Sequence, residues 1–482
     1  MQYRPHKTKI VATIGPASDQ PELLRALIEA GLDVARLNFS HGDADYHAAL
    51  IERIRAAATA TGRRVAIMGD LPGPKMRIGD LDDEPVELVR DQCITLTTED
   101  CTGTAERVSV TFPGLPAAVR PGDRLFLNDG FILLKVVEVR GNDVICNVRA
   151  GGELRSRKGL NLPGIDLGIS AFTDDDRRWL AFAAAHRIDA VSQSFVAGGG
   201  DIDAVRQAAQ ALDYDPFVIA KIERATALDN LEAILAAADG LMVARGDLGV
   251  EIPIERIAVA QRRITELANR AGKPVITATQ MLESMVTMRR PTRAEATDVA
   301  NAILGGTDCV MLSAESAMGR FPVESVQMLA GIAAAIEPER NLRRQAERVG
   351  AYDADGSRRA PDLIARSVYH TAERSEPRLV VVPTRSGNTA RRIARFRLPC
   401  PLVAFTPNPD TAQRLCFSYG VYAQNTDADL ADWTAFVRDW LAEQRIDAGL
   451  VLLTQGPSEE YPCGNHRLEI IDLDGERSPT CA

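Results

Sequence analysis

Pro216-Phe-Val-Ile-Ala-Lys-Ile-Glu223 is apolar until its last residues, and a second such run ends in Met242-Val-Ala-Arg-Gly-Asp247. Runs of this kind read as parallel strands buried on both faces. Side chains alternate along a strand, so Lys221 and Glu223 project to the same side. A cation and a carboxylate at one strand's end, with Asp247 at the end of another, suit a hard divalent ion. Mg²⁺ takes one or two carboxylates and leaves its other positions to water and substrate oxygens. The lysine beside it can hold charge that develops during reaction. Chemistry on an anion is the reading.

Working outward, strand and helix alternate along the chain. Strands are expected at Thr8–Ile14, Asp33–Asn38, Val65–Asp70, Ala190–Phe195, Phe217–Ile222, Gly240–Ala244, Pro274–Thr279 and Cys309–Ser313. Amphipathic helices fall between them, such as Pro21–Ala30, Asp201–Ala211 and Ile254–Ala271. Eight strands each followed by a helix predict an α/β fold, the (β/α)₈ TIM barrel, which binds substrate at the carboxyl ends of its strands. Arg36, Asn38, Ser40, Asp70, Ser194, Lys221, Glu223, Asp247, Thr279 and Ser313 cluster at those ends.

The pattern breaks between residues 73 and 164, a stretch rich in Val, Thr and Ile with turn signals such as Asn128-Asp-Gly130. Short strands at that spacing predict a small β-barrel or sandwich inserted after the third barrel strand. It would overhang the catalytic face as a lid, with Gly and Pro at both junctions as hinges. The barrel is thus expected over 1–72 and 165–345, a charged linker over 346–361, and a C-terminal three-layer α/β domain over 362–482. In the last, Val382-Pro-Thr-Arg-Ser-Gly-Asn-Thr389 precedes a helix expected at Ala390–Arg397. A strand, a Ser/Thr/Gly loop and a helix start can cradle an anion, or merely cap the helix. The loop lacks the lysine of a nucleotide-hydrolysing P-loop. Arg391, Arg392, Arg395 and Arg397 add positive charge beside it, some as ordinary solvated helix residues.

Composition bounds the function. The 482 residues carry a net charge of −10, which argues against a nucleic-acid partner. No apolar stretch reaches the roughly 20 residues that span a bilayer. The start of the chain lacks a signal peptide's apolar core, and the eight cysteines show no paired or zinc spacing, so a cytoplasmic location is expected.

The motifs Thr8-Lys-Ile-Val-Ala-Thr-Ile-Gly-Pro-Ala-Ser18, Ala35-Arg-Leu-Asn-Phe-Ser-His-Gly42, Lys221-Ile-Glu223, Met242-Val-Ala-Arg-Gly-Asp-Leu-Gly-Val-Glu251, Thr279-Gln-Met-Leu-Glu-Ser284 and Met311-Leu-Ser-Ala-Glu315 together resemble the pyruvate kinase family over nearly the full chain. The C-terminal domain matches more loosely. The resemblance implies phosphoryl transfer from phosphoenolpyruvate to ADP, giving pyruvate and ATP. It implies Mg²⁺ on Glu223 and Asp247, with Mn²⁺ able to substitute, and Lys221 as transition-state stabiliser. Substrate binding would involve Arg36, Lys221, Gly246, Asp247, Thr279 and Ser194. Thr279 would serve enolate protonation, with Ser313 and Glu315 completing a water relay, because a threonine hydroxyl is a poor acid by itself. For Ser313 the alternative is a helix cap, and for His41 a hydrogen bond to a neighbouring loop. The ADP side would use Asn38, Phe39, Ser40, His41, Arg77, Lys158 and Asp129.

Many members of the family need K⁺, bound at positions matching Asn38, Ser40, Asp70 and Leu71. Those members carry glutamate where this chain has Lys75 and threonine where it has Leu71. An ammonium at Lys75 supplies the same +1 charge and repels a monovalent cation, so K⁺ independence is expected. Thr384, Arg385, Ser386, Gly387, Asn388 and Thr389 match the family's activator phosphate site. The acidic stretch Thr454–Asn465 serves a second phosphate poorly, so the expected effector is a sugar monophosphate or AMP. The family is usually tetrameric, and a homotetramer is expected. Two rival functions are another Mg²⁺-dependent enolate enzyme such as an aldolase, and a non-catalytic phosphosugar sensor. The first needs no nucleotide groove, lid or effector domain. The second needs no intact Lys221, Glu223, Asp247 and Thr279.

Overall fold

Parallel apolar strands, each returned by a helix, close on themselves here as β1 (Lys9–Thr13), β2 (Leu32–Asn38), β3 (Ala66–Leu71), β4 (Ala190–Gln193), β5 (Phe217–Ile222), β6 (Gly240–Ala244), β7 (Val275–Ala278) and β8 (Cys309–Leu312). β1 pairs with both β2 and β8, which completes the barrel. The computed structural model describes residues 3–128, 130–165, 168–340, 347, 360–426, 432–456 and 465–474.

Alternation along the strands splits the barrel's core in two. Val11, Val34, Ala66, Met68, Ala190, Phe217, Ile219, Met242, Ile276 and Met311 fill the interior. Their neighbours in sequence, such as Ile10, Ala35, Ile67, Val218, Ala220 and Val243, pack outward against the helices. Helix Pro21–Ala30 begins on proline, which fits the first turn where its missing N–H is not needed. The expected helix at Ile254 starts as a 3₁₀ turn and becomes α-helical from Ile257 to Ala271.

The inserted segment is built of β-strands apart from one short helix, Leu115–Ala118. Six strands form one sheet and Val86–Leu88 pairs with Gly152–Leu154 in a ribbon, over a core of its own that includes Ile94, Leu96, Leu134 and Val148. The C-terminal sheet runs in the order Val421–Asn425, Leu402–Thr406, Leu379–Pro383, Leu450–Gln455, Arg467–Asp472, with the last strand antiparallel. Helix Ala360–Ser375 covers one face through Val368 and Tyr369, and helix Trp433–Glu443 the other through Val437 and Trp440. Three layers result. The expected linker lies almost wholly outside the described residues.

The C-terminal domain closes the floor of the barrel. Phe417 is fully buried among the interior side chains and stacks on Phe217 at 5.4 Å, while Cys309 Sγ donates to its carbonyl. No helix among the described residues is long and apolar enough to cross a membrane.

Candidate active site

The inward-facing rows that form the barrel's interior end in polar residues at the top. Val11 leads to Thr13, Val34 to Arg36, Met68 to Asp70, Ala190 to Ser192, Ile219 to Lys221 and Met311 to Ser313. Strand alternation therefore points these groups into one cup.

Asp70 is its hub. Arg36 Nε donates to Asp70 Oδ2 at 3.0 Å, and its Nη1 donates to Thr13 Oγ1 at 2.7 Å. Ser192 Oγ donates to Asp70 Oδ1 at 2.7 Å, and Lys221 Nζ lies 3.3 Å from the carboxylate. Burial alone would raise the Asp70 pKa, but Lys221 and Arg36 outweigh it and hold the group below its ordinary value. Lys221 Nζ also donates to Ser194 Oγ at 2.7 Å and pairs with Glu223 Oε1 at 2.8 Å. Burial opposes the ammonium, yet Asp70 and Glu223 raise its pKa, so Lys221 stays charged.

Glu223 faces the opposite pressure. Burial raises its pKa against the pull of Lys221, and the Asp247 carboxylate adds to the rise. Its Oε2 accepts the Phe195 N–H at 2.8 Å. Asp247 lies in the first turn of the short helix Arg245–Glu251 that follows β6. A buried carboxylate pressed by a second one beside it is relieved by a cation, and both offer hard oxygen donors. No cluster of three or more His, Cys, Asp or Glu side chains suited to a metal occurs among the described residues. A divalent ion here would have two protein carboxylates and would leave the rest of its shell to water and substrate oxygens, as Mg²⁺ commonly does. The donor set fits.

Around the cup, Thr279 Oγ1 accepts the Gly246 N–H at 2.8 Å and donates to Ala278 O at 2.6 Å. Its proton is thus committed to a carbonyl in this arrangement, and the Gly246 amide to Thr279. Glu315 is fully buried, with Oε1 accepting from Leu282 N at 3.1 Å and Oε2 from Ser313 N at 2.7 Å. It ties the ends of β7 and β8 together. Ser313 opens the turn Ala314–Ala317 without a side-chain cap, so capping does not explain it.

The nucleotide-side residues separate into groups. Asn38 Oδ1 accepts the Ser40 N–H at 3.2 Å, and Ser40 and His41 are exposed. His41 is held below its ordinary pKa by burial and by Arg77, Lys75 and Arg36, so these cations share one mouth. Arg77 also donates from Nη1 to Arg157 O at 2.9 Å, beside Lys158. Phe39 is a correction. Its ring is buried, stacked on Trp179 at 4.4 Å, so only its backbone can face a ligand. A Cβ at Gly69 would meet that ring at 2.5 Å. Asp129 lies outside the described residues. Leu71 O accepts from Ser194 Oγ at 2.7 Å, and Lys75 is exposed.

In the C-terminal loop, Thr384 Oγ1 accepts the Gly387 N–H at 3.0 Å, and Gly387 holds a left-handed φ of +79°. Arg385, Ser386 and Asn388 are exposed, and Thr389 sits in the first turn of helix Asn388–Ala394. The arginines beyond are corrected from solvated charge to interdomain and intradomain links. Arg397 Nη1 and Nη2 donate to Asp308 at 2.7 Å, Arg395 reaches Asp362 and Arg270 O, and Arg392 pairs with Asp362. Arg391 sits over the Phe217 ring at 5.4 Å and donates to Ser386 O at 3.0 Å. Much of Thr454–Asn465 lies outside the described residues.

Thr13 and Ser192 carried no role in the sequence, and Asp70 only a place at a strand's carboxyl end and that of a K⁺ position. Their place one register step above interior side chains is the signal that could have found them.

Comparison with known proteins accords with this geometry. The family described as "Pyruvate kinase, barrel domain" matches residues 5–326, and "Pyruvate kinase, alpha/beta domain" matches residues 362–461. A pyruvate kinase of Thermococcus litoralis is 47% identical over 476 residues, covering 98% of this chain and 100% of the relative. One from Mycobacterium tuberculosis is 41% identical over 412 residues, 86% of each chain. The crystal structure of a pyruvate kinase from Cryptosporidium parvum superposes with a TM-score of 0.90 at 35% identity, covering 97% of this chain and 96% of that one.

Proposed function

The chain belongs to the pyruvate kinase family, and from that premise we propose how its own residues perform the reaction. Membership makes it a phosphotransferase of glycolysis that uses phosphoenolpyruvate, ADP and a divalent metal. Glu223 and Asp247 hold the metal, taken as Mg²⁺ with Mn²⁺ as substitute. When bound, that ion supplies Lewis-acid neutralisation of the oxygens that gain negative charge.

Phosphoryl transfer asks for positioning and charge more than covalent work. Arg36 and Lys221 face the transferring group, and both are preorganised by Asp70 at 3.0 and 3.3 Å. Lys221 gives up its Ser194 contact to substrate oxygens, and Ser194 stays within reach of the same ligand. Gly246 and Asp247 amides receive the substrate carboxylate once Thr279 releases Gly246. The enolate carbon then takes its proton through a water relay that Thr279 orders, Ser313 borders and Glu315 positions, and solvent returns a proton to that relay. Asn38, Ser40, His41 and the Phe39 backbone line the ADP side, with Arg77 and Lys158 at the lid edge; Asp129 is assigned to ADP by the family resemblance alone. Lys75 replaces K⁺.

The loop Thr384–Thr389 takes the phosphate of a sugar monophosphate or AMP as activator. The assembly is a homotetramer in the cytoplasm. The observation that carries the reading is the buried ammonium of Lys221 between Asp70 and Glu223. A dehydrogenase-coupled pyruvate assay tests it. Pyruvate must appear only with ADP and divalent metal together, without K⁺; pyruvate release that ignores ADP sinks the proposal. Arg385→Ala and Ser386→Ala must abolish a response to glucose 6-phosphate, ribose 5-phosphate or AMP, or the effector assignment fails. Light scattering decides the tetramer.

A further inference from the structure

Thr279 and Gln280, just past β7, hold φ values of +67° and +52°. For L residues this region brings Cβ against the following carbonyl, and a β-branched side chain there is an outlier. Something must hold the pair. Arg245, the first residue of the turn after β6, does so with a side chain only 9% exposed. Its Nη2 donates to Thr279 O at 2.7 Å and more loosely to Gln280 O at 3.4 Å, and its Nε reaches Ala278 O at 3.3 Å. Its Nη1 is fixed by Asp298 Oδ2 at 2.6 Å. Gly246, the next residue, donates its N–H to Thr279 Oγ1 at 2.8 Å. Consecutive residues of one turn thus grip Thr279 by its carbonyl and by its hydroxyl.

We propose that Arg245 is a positioning residue for enolate protonation, clamping the left-handed Thr279–Gln280 pair so that the Thr279 hydroxyl faces the site. The proposal rests on the reading of Thr279 as part of proton delivery. Three carbonyls converging on one point repel one another unless a fan of donors sits between them. A planar guanidinium supplies that fan, and a lysine ammonium does not. Without it the peptide is free to rotate out of the left-handed region, carrying the Thr279 hydroxyl off line.

The proton step is read alone by deuterium uptake into the methyl group of pyruvate in D₂O, with Mg²⁺ and ATP present. Arg245→Met is expected to slow uptake about 100-fold, as for a misplacement near 1 Å. KM for ADP should stay within about twofold, because ground-state nucleotide contacts are untouched. Arg245→Lys should not rescue. Gln280 is exposed, and glycine accepts its backbone angles without strain, so Gln280→Gly alone should leave uptake unchanged. In the Arg245→Met background the same change should recover uptake about tenfold or more. A loss with no such recovery, or no loss, overturns the proposal. Should Arg245→Met fail to fold, Asp298→Asn frees the same guanidinium and must lower uptake; unchanged uptake overturns the clamp. Thr279→Ala separates the two claims. If it abolishes uptake while Arg245→Met does not, the clamp alone is wrong; if it leaves uptake intact, the reading of Thr279 falls and the clamp's purpose with it.

Discussion

The two ends of the barrel both bury charge, and they do so in opposite ways. At the floor, the fully buried Arg397 meets Asp308 in a two-pronged pair and adds Asn269 Oδ1 and Gly306 O, each at 2.6 Å. Asp308 also accepts the N–H groups of Val275 at 3.1 Å and Tyr419 at 3.0 Å. One cation meets one anion, and neutral groups take the other contacts, leaving only Arg397 Nε without a hydrogen-bond partner. At the mouth, Arg36 and Lys221 share Asp70, while Glu223 is pressed by Asp247 as well as drawn by Lys221. β5 runs from one regime to the other, from Phe217 under Arg391 to Lys221. Paired charge holds domains together. Crowded charge waits for a substrate and a metal to complete it.

The sharpest break of this contrast is Lys221→Met. Removing it should cost roughly 1,000-fold in kcat, the upper range for a preorganised electrostatic contact. The melting temperature should fall less than in Arg397→Met, because Asp70 keeps Arg36 and Glu223, already pushed toward protonation, can take a proton in place of the lost ammonium. A large fall in melting temperature with kcat retained would merge the two regimes. Arg397→Met should do the reverse, losing about 3–5 kcal/mol in denaturant unfolding because Asp308 is left charged and buried. Folded enzyme should turn over almost as before.

Asp70→Asn lies between, and pH separates its parts. The folded pKa of Asp70 is depressed by Lys221 and Arg36, so its contribution to stability is present above the unfolded value of about 3.9 and lost as pH falls through the depressed one. The stability gap between wild type and Asp70→Asn should be constant at neutral pH and narrow only in strong acid. A gap that narrows between about pH 8 and 6 would contradict the assignment. The smallest effect is expected of Lys75→Glu, which should create a K⁺ stimulation absent in wild type; K⁺ indifference in both would leave the ammonium at Lys75 without its role.

The fold was largely legible because its strands are long apolar runs. The expected barrel strands match the observed ones to within about two residues, consistent with strand identity being fixed more firmly than strand ends. Val421–Asn425 escaped notice because it is an edge strand with only Val421 buried, and Tyr-Ala-Gln-Asn offers no apolar run. The chemistry-bearing strand ends were legible for the same register reason. What could not be read was pairing across distance. Arg397 and Asp308 are 89 residues apart, so a run of arginines read as positive charge beside the loop, some of it solvated. The Phe39 side chain could not be told from its backbone as a nucleotide contact, because nothing local shows that Trp179 lies against the ring. The left-handed backbone of Thr279 has no signature in a threonine.

The central claim is that Glu223 and Asp247 hold the divalent ion on which turnover depends. Electron paramagnetic resonance of Mn²⁺ binding, run beside turnover on the same samples, tests it most directly. Wild type should bind Mn²⁺ and lose activity in excess chelator, and Glu223→Gln and Asp247→Asn should each weaken binding by at least about 10-fold, with activity falling in step. Undiminished Mn²⁺ affinity in the double variant, or normal turnover by wild type in excess chelator, would contradict the account.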